Sequence, residues 1–489
     1  MRAATTGGVQ LRSPVGVYLV AATVLASMLG FLDAYMINVA IPAIGKGLHA
    51  DLVSLQWVLT GYLLTVASLL LLAGALADHF GRRRILVVGL VLMLVASVGC
   101  ASAPTVTALI IARVLQGAGG ALVVPSSLAL LNGTLRPQDR ARGIGIWAGL
   151  ATISSTVGPY GGGWLVDHTS WRYVFLLNIP LVAAALWTLR SVPESGGDRP
   201  LSLDVVGALL AVVGLGGLIY ALTSGPSGWT SPKVLTAGVV GVACLAALAP
   251  IERHRRLPML QTSLFRSRQF DAINVATVLF YGALAAASYL VVLQCELRLG
   301  YSATQAGAAL IPESIVFLLV SPFVGALATK VGTRWPMAIG IVIVALGFVS
   351  LSGAQPGQSY VRAVLPGALL WGLGIGLAVT PLTAGVLAAV DDTDLGEASA
   401  INDAASRVGG VVLVALIPVL LSAGASNNLA QPLHDHYRTA MLFMAGLSAV
   451  AAVITVLFVS RRTAIAAPPV ATSLPRVHSC ALPEPAASV

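Results

Sequence analysis

Gly74-Ala-Leu-Ala-Asp78-His-Phe-Gly81-Arg82-Arg83-Arg84 and Gly325-Ala-Leu-Ala-Thr329-Lys330-Val-Gly332-Thr-Arg334 are two versions of one pattern, placed in the two halves of the chain. Each version ends an apolar segment with a glycine-rich, cationic turn. Each also follows the second of six consecutive apolar segments. A tandem repeat of six helices is typical of secondary transporters built from two related halves.

The composition indicates an integral membrane protein. Of the 489 residues, 57% are hydrophobic and 10% are charged, and the mean hydropathy is +0.89. A soluble globule of this size needs far more polar surface. The apolar stretches are too long for the alternating strands of a barrel, so we expect helices. The first stretch, at 17–39, is too long for a signal-peptide core and has no cleavage site after it, so we expect it to remain as a span.

A window of about twenty residues predicts fourteen spans. Two charged segments that contain proline, 191–202 and 252–269, flank the seventh and eighth spans. The predicted spans are 17–40, 54–77, 85–102, 107–131, 143–165, 172–190, 203–222, 234–251, 270–293, 305–328, 337–353, 361–388, 398–423 and 438–459.

The fold class predicted from this pattern is an all-α membrane protein with two six-helix bundles and two inserted helices. We expect five parts: a cytoplasmic N-terminus (1–16), the first bundle (17–190), the linkers with the inserted pair (191–269), the second bundle (270–460) and a disordered tail (461–489).

The distribution of basic residues predicts the orientation. With the N-terminus in the cytoplasm, 20 of the 28 Lys and Arg residues lie inside, six lie outside, and Arg113 and Arg407 lie within spans. This bias follows the positive-inside rule, so both termini are expected in the cytoplasm. The net charge of +9 is then explained by topology and contact with membrane lipid, and no nucleic-acid partner is expected.

Four motifs occur in order along the chain. They are Leu32-Asp33-Ala-Tyr-Met-Ile-Asn38-Val-Ala40-Ile-Pro42, the turn at 74–84, Leu109-Ile-Ile-Ala-Arg113-Val-Leu-Gln116-Gly117-Ala-Gly119-Gly120, and Gly158-Pro159-Tyr-Gly161-Gly162-Gly163-Trp164-Leu165, which continues to Asp167-His-Thr-Ser-Trp171-Arg172.

These motifs resemble the first-helix motif and motifs A, B and C of the fourteen-span drug:proton antiporters of the major facilitator superfamily. The resemblance covers nearly the whole chain, because residues 396–410 are also similar to the thirteenth span of that family. It implies proton-driven export of hydrophobic or cationic small molecules, often antibiotics, across the cell membrane. The chain departs from the family pattern at His79, Thr329 and Tyr160.

The motif at 74–84 predicts a cytoplasmic gate. The glycines, Gly74 and Gly81, are expected to let the second and third helices turn sharply. The carboxylate of Asp78 can meet the positive end of the thirteenth helix, which starts near Ala398 on the same face. The alternative is an arginine cluster with only a topological role. The other residues assigned to the gate are Arg82, Arg83, Asn402 and Arg407, with Asp403 beside them.

Three ionisable residues are expected to line a cavity. By the rise of a helix, Asp33 and Arg113 lie roughly 10 Å below the outer surface and Glu313 roughly 12 Å. Charges at such depth are costly and usually functional. We predict Asp33 as the proton carrier with Arg113 tuning it, and Glu313 as a second proton site or the partner of a cationic substrate. Structural ion pairs or hydrogen bonds to the backbone are the alternatives.

Glycines in the fifth span predict a close helix contact. Gly145 and Gly149 precede Gly158-Pro159 and Gly162, which gives a small-faced, kinked helix. Because Gly158, Pro159 and Gly162 belong to the antiporter motif, the contact is expected to join the two halves.

Other chemistry has little support. Gly372-Leu-Gly374-Ile-Gly376 has no preceding strand and indicates helix packing, and no GxxxxGK[ST] loop for ATP is present. The four cysteines and seven histidines show no metal spacing. We expect no enzyme activity, no metal and no cofactor, and a monomer that exchanges a small organic molecule for protons. A proton-coupled importer on the same fold and a transport-inactive membrane sensor remain as alternatives.

Overall fold

A computed structural model describes residues 8–196, 205–253, 264–391, 394–422 and 430–460. The described residues form helices joined by short turns, with one isolated parallel bridge between Val9 and Leu135. The tail at 461–489 and parts of both predicted linkers lie outside the described residues, so the prediction of a disordered tail remains a prediction.

Seven helices form the first part of the chain, and their bounds extend most of the predicted spans by several residues. They are α1 (Pro14–Leu48), α2 (Leu52–Phe80), α3 (Arg82–Ser102), α4 (Val106–Thr134), α5 (Pro137–His168), α6 (Arg172–Leu176) and α7 (Asn178–Leu189).

Eleven helices follow. They are α8 (Val205–Ser224), α9 (Pro232–Arg253), α10 (Arg268–Leu297), α11 (Ala303–Ala308), α12 (Ile311–Val331), α13 (Arg334–Leu351), α14 (Tyr360–Ala363), α15 (Leu365–Leu387), α16 (Leu395–Ala415), α17 (Ile417–Leu420) and α18 (Ala430–Phe458). Two 3₁₀ turns lie at Gly225–Ser227 and Leu264–Arg266.

Thirteen helical stretches among the described residues are long and apolar enough to cross a membrane. The predicted span absent from that set is α5, which has 32 residues but is rich in Gly, Ser and Thr. Its length of roughly 48 Å exceeds the hydrocarbon thickness of a bilayer. The all-helical membrane fold is therefore confirmed, and the count of fourteen spans remains a prediction.

Prolines break three of the predicted spans. In each of these spans the helix breaks two residues before a proline. The breaks separate α11 from α12, α14 from α15 and α16 from α17, and the prolines are Pro312, Pro366 and Pro418. Proline has no backbone N–H to donate, so it suits the first turn of a new helix. A hydropathy window does not detect such breaks because the flanking residues are uniformly apolar.

The repeated motif forms the same turn in both halves. Gly81 ends α2 with φ +102°, and Gly332 ends α12 with φ +84°. The N–H of each glycine donates to a carbonyl one turn earlier, that of Ala77 and Ala328 respectively. Only glycine adopts these conformations without strain. Gly74 lies within α2, so the expectation that it helps to form the turn was wrong.

The helices pack as two groups with the inserted pair beside them. Helix α1 packs against α4, α5 and α7, while α10 packs against α16 and α18 and α13 against α15. Helices α8 and α9 pair with each other, and α8 also touches α2 and α16. Large apolar side chains such as Phe323, Leu319 and Val239 point outward, which matches a lipid-facing surface.

Gly81→Ala is expected to destabilise the protein by about 1–3 kcal/mol. The alanine would be strained at φ +102°, and its Cβ would lie 2.8 Å from the Glu194 carboxylate. Thermal unfolding of the purified protein in detergent measures the change. Gly74→Ala is the matched control, because a Cβ at Gly74 meets no atom within 4 Å. Equal melting temperatures for the two variants would contradict this account of the turn.

Candidate transport site

Asp33 and Arg113 form a fully buried ion pair in the first half. Arg113 Nη1 lies 3.3 Å from Asp33 Oδ2, and the two side chains are 1% and 2% exposed. Arg113 Nε also donates to the carbonyl oxygen of Val58 at 3.0 Å. Removing a charge from water costs free energy, and here the opposite charge of the partner offsets that cost. The structure thus brings together two of the three residues predicted to line the cavity.

A closed ring of hydrogen bonds surrounds this pair. Asn178 Nδ2 donates to Asp33 Oδ1 and to Ser97 Oγ, both at 3.0 Å. Gln116 Nε2 donates to the same Ser97 oxygen at 2.9 Å, and Arg113 Nη1 donates to Gln116 Oε1 at 2.7 Å. All five side chains are buried. The ring ties α1, α3, α4 and α7 together and holds the Asp33 carboxylate between two donors.

Aromatic rings cover the remaining faces of the guanidinium group. Arg113 Cζ lies 4.3 Å from the centroid of the Tyr62 ring and 5.9 Å from that of Phe175. The Tyr62 hydroxyl donates to the carbonyl oxygen of Gly30 at 3.3 Å. Such cation–π contacts gain strength where water is excluded. Tyr62 also lies within electrostatic range of Arg407 in the second half.

Glu313 lies apart from the ring. It occupies the first turn of α12, is partly exposed, and accepts a hydrogen bond from the Ser314 hydroxyl at 3.0 Å. Tyr35 on α1 lies within electrostatic range of both Glu313 and Arg407. Gly372 allows α15 to approach the backbone of Glu313, since a Cβ at position 372 would overlap the carbonyl oxygen of Glu313. The glycines at 372–376 therefore serve helix packing, as predicted.

Helix α16 carries a second, partly exposed ion pair. Arg407 Nε lies 3.0 Å from Asp403 Oδ2, with side chains 23% and 47% exposed. Arg407 is twelve residues from the start of α16, roughly 18 Å along the helix and thus near the middle of a bilayer. This depth lies well away from the turn at 74–84, and the assignment of Arg407 to the gate remains a prediction. Asn402 donates to Asn274 and Thr277 and thereby fastens α16 to α10.

The cytoplasmic turn is held by contacts within the first half. Arg82 donates from Nε and Nη2 to Asp78 Oδ1, at 3.0 and 2.8 Å. Glu194, which follows α7, accepts from the backbone N–H groups of Arg83 and Arg84 and so caps α3. The side chain of Arg83 donates to the carbonyl of Leu189. The predicted contact of Asp78 with the start of α16 remains a prediction, although α2 packs along α16.

The glycines of α5 differ in what they contact. Gly158 and Gly162 face Leu32 and Met36 of α1, in the same half of the protein. A Cβ at Gly163 would come within 2.2 Å of the carbonyl oxygen of Ala303 in α11. A Cβ at Gly307 of α11 would likewise meet the carbonyl oxygen of Pro159. Helix α5 thus packs against the other half through Pro159 and Gly163, whereas Gly158 and Gly162 face α1, and their role at an interface between the halves remains a prediction. No atom lies within 4 Å of a Cβ built at Gly145 or Gly149.

Asp167 joins the two halves where α5 ends and α11 begins. Its carboxylate accepts hydrogen bonds from the N–H groups of Ala303 and Thr304, at 3.1 and 2.8 Å, and from the Thr304 hydroxyl. Desolvation raises the pKa of this carboxyl, but the hydrogen bonds from Thr304, Ser302 and Ala303 outweigh it and hold the pKa below its usual value. Asp167 lies beyond the predicted span 143–165, on the side that the distribution of basic residues predicts to be outside.

Sequence reasoning did not assign roles to Ser97, Asn178, Glu194 or Asp167. Only the position of Ser97 and Asn178 beside Asp33 makes them part of the site. Asp167 belongs to the continuation of the antiporter motif, but the motif alone does not assign it a contact. Among the described residues no cluster of three potential metal ligands occurs, and three cysteines there are free thiols.

The sequence profile of the Major Facilitator Superfamily matches residues 23–311 and 273–478. The chain belongs to this superfamily. It is 35% identical over 416 residues to the multidrug resistance protein Stp of Mycobacterium tuberculosis, which covers 83% of this chain and 77% of Stp. It is 33% identical over 420 residues to the methylenomycin A resistance protein of Bacillus subtilis, covering 85% and 89%. The puromycin resistance protein pur8 of Streptomyces alboniger is 31% identical, with 90% of each chain covered.

Solved structures of major facilitator transporters share the fold. A peptide transporter POT in complex with sulfate superposes with a TM-score of 0.69 at 15% identity, covering 92% of this chain and 96% of that one. A D-xylose–proton symporter gives 0.66 at 17% identity, covering 91% and 98%. This chain is therefore a multi-pass membrane protein of a transporter superfamily that carries small molecules.

Arg113→Gln alone is expected to lower the free energy of unfolding by about 3–5 kcal/mol, because it leaves the Asp33 carboxylate buried and unpaired. Combining it with Asp33→Asn removes that charge and should restore part of the loss. Arg407→Gln is the matched control and should cost about 0–1 kcal/mol, since its pair is partly exposed. Unfolding in detergent measures five proteins: the wild type, Arg113→Gln, Asp33→Asn, their combination and Arg407→Gln. Additive effects of the two buried substitutions would contradict the pairing.

Asp167→Asn is expected to reduce the free energy that holds α5 against α11 by about 1–3 kcal/mol, since it removes the negative charge from hydrogen bonds that join the halves. The population with an open outer side should then rise. Labelling of an introduced cysteine on the outer side measures this population. Asp51→Asn is the control, because Asp51 caps α2 within one half on the same face. Equal labelling in both variants would show that Asp167 does not hold the halves closed.

Proposed function

We propose that this protein exports a small hydrophobic or cationic organic molecule across the cytoplasmic membrane in exchange for protons. The observation that carries the proposal is the buried Asp33–Arg113 pair at the centre of the first half. The resistance and export proteins at 31–35% identity support drug or antibiotic export as the direction and substrate class. In this proposal both termini lie in the cytoplasm and the protein works as a monomer.

The proposed coupling uses Asp33 as the proton carrier. When the carboxylate is ionised, it pairs with Arg113 and accepts from Asn178. When a proton binds, the ion pair is lost and Arg113 remains bonded to Val58 and Gln116. Protonation thus changes the contacts between α1 and α4 without leaving the arginine unpartnered. A change of this kind in one helix pair can bias which side of the transporter is open.

The second half supplies carboxylates for a cationic substrate. Glu313 is partly exposed and Asp403 is exposed, and Asp403 pairs with Arg407 on the same helix. Their depth in the membrane makes them costly unless a counter-ion or water is near. We assign Glu313 to substrate binding or a second proton, and the Asp403–Arg407 pair to the same cavity.

Alternating access is proposed to switch between the two closures. On the outside, Asp167 and Gly163 hold α5 against α11. On the inside, the turn that contains Asp78 and Gly81 lies at the end of α2, which packs along α16. Breaking one contact as the other forms exposes the cavity to each side in turn.

Efflux of a lipophilic cationic dye from cells that express the protein tests the proposal. Efflux should stop when a protonophore is added, because the gradient that drives it is lost. Asp33→Asn should abolish this protonophore-sensitive efflux while the protein still reaches the membrane. Asp51→Asn serves as control, since it removes a carboxylate that lies outside the site.

The outcomes separate the alternatives. Dye uptake driven by the gradient would favour the importer. Normal efflux in Asp33→Asn would reject Asp33 as the carrier and direct attention to Glu313. A chain that moves no dye and no antibiotic of several classes would support the transport-inactive sensor.

A further inference from the structure

The N-terminal segment before α1 is bound to the connection between α4 and α5. The N–H of Val9 donates to the Thr134 carbonyl at 2.9 Å, and the N–H of Arg136 donates to the Val9 carbonyl at 3.1 Å. Asp139 Oδ2 accepts from the N–H of Leu11 at 3.0 Å. The buried side chain of Leu11 packs in the same apolar cluster as Leu135. These contacts give the segment a defined place on the cytoplasmic face.

The folded segment encloses a cationic pocket. A cavity of about 360 Å³ is lined by Gln10, Leu11, Arg12, Arg136, Asp139 and Arg142. Three guanidinium groups and one carboxylate give it two net positive charges. Asp139 already binds Arg136 Nε at 2.7 Å. Among the described residues no carboxylate pairs with Arg12 or Arg142, and both side chains are exposed.

Helix α5 adds to the positive potential of the pocket. It begins at Pro137, directly after Arg136, and no side chain accepts a hydrogen bond from its first turn at the cap position. The N–H groups at a helix start carry a partial positive charge, which Asp139 in the first turn partly offsets. Three guanidinium groups beside a single carboxylate repel one another, and a bound anion would reduce that repulsion.

The pocket lies at the level of lipid head groups on the cytoplasmic side. Arg12 is two residues before α1, and Arg142 is one residue before the predicted span 143–165. Both helices enter the membrane at this point. Guanidinium groups bind phosphate oxygens in a bidentate manner, and anionic lipids concentrate in the inner surface layer.

We propose that this pocket binds the phosphate of an anionic lipid in the cytoplasmic leaflet. The lipid phosphate bridges Arg12 with Arg142 and so fastens the N-terminal segment to the start of α5. The site lies outside the transport cavity and does not depend on the direction or the substrate of transport.

Thermal unfolding of the purified full-length protein in detergent tests the site. Phosphatidylglycerol is titrated and compared with phosphatidylethanolamine, which has no net charge, and with inorganic phosphate. The wild-type protein should be stabilised by phosphatidylglycerol alone. The double variant R12Q/R142Q should bind it about 30-fold more weakly, since each arginine near an anionic surface contributes to binding.

Matched controls separate the pocket from general surface charge. R190Q/R266Q removes two exposed arginines assigned to the same side of the membrane and should respond to phosphatidylglycerol as the wild type does. If R12Q/R142Q does not fold, R12K/R142K keeps the charges but loses the bidentate geometry and should show an intermediate response.

Three results would overturn the proposal. They are equal lipid responses in R12Q/R142Q and R190Q/R266Q, equal stabilisation by phosphatidylethanolamine, and equal stabilisation by inorganic phosphate, which would make the site one for a soluble anion. None of these results bears on dye efflux, so the site and the transport proposal can fail independently.

Discussion

The burial of one ion pair organises the first half of this transporter. Asp33 and Arg113 are almost completely removed from solvent, where either charge alone would cost several kcal/mol. Polar groups from four helices offset this cost. They are the side chains of Asn178, Ser97 and Gln116 and the carbonyl group of Val58. Because the ring is closed, it links the packing of α1, α3, α4 and α7 to one another.

The cost of burying a charge also explains why charged residues are arranged differently in the two halves. In the second half the charged residues are only partly buried, and Asp403 and Arg407 neutralise each other on one helix. Charges that are partly exposed can exchange partners at small cost, whereas an exchange within the buried ring would leave a buried charge without its partner.

Contact between the halves depends on small residues and on Asp167. Gly163 and Gly307 bring the backbones of α5 and α11 together, and the carboxylate of Asp167 binds the exposed N–H groups of α11. The motif at 74–84 lies at the far end of α2, and its contacts stay within the first half. The contact between α5 and α11 and the turn at 74–84 therefore use separate sets of residues.

The sequence by itself determined the membrane class, the helical fold, the superfamily and the two equivalent glycine turns. Hydropathy and motif spacing are local properties, and a bilayer leaves the backbone little choice but helix. The sequence also indicated Asp33 and Arg113, since charges within apolar spans are rare. Only the tertiary structure decided their partners, Ser97 and Asn178, and which glycine of α5 meets the other half. Such choices depend on how helices rotate against one another, and uniformly apolar helices carry no periodic signal that reports their rotation.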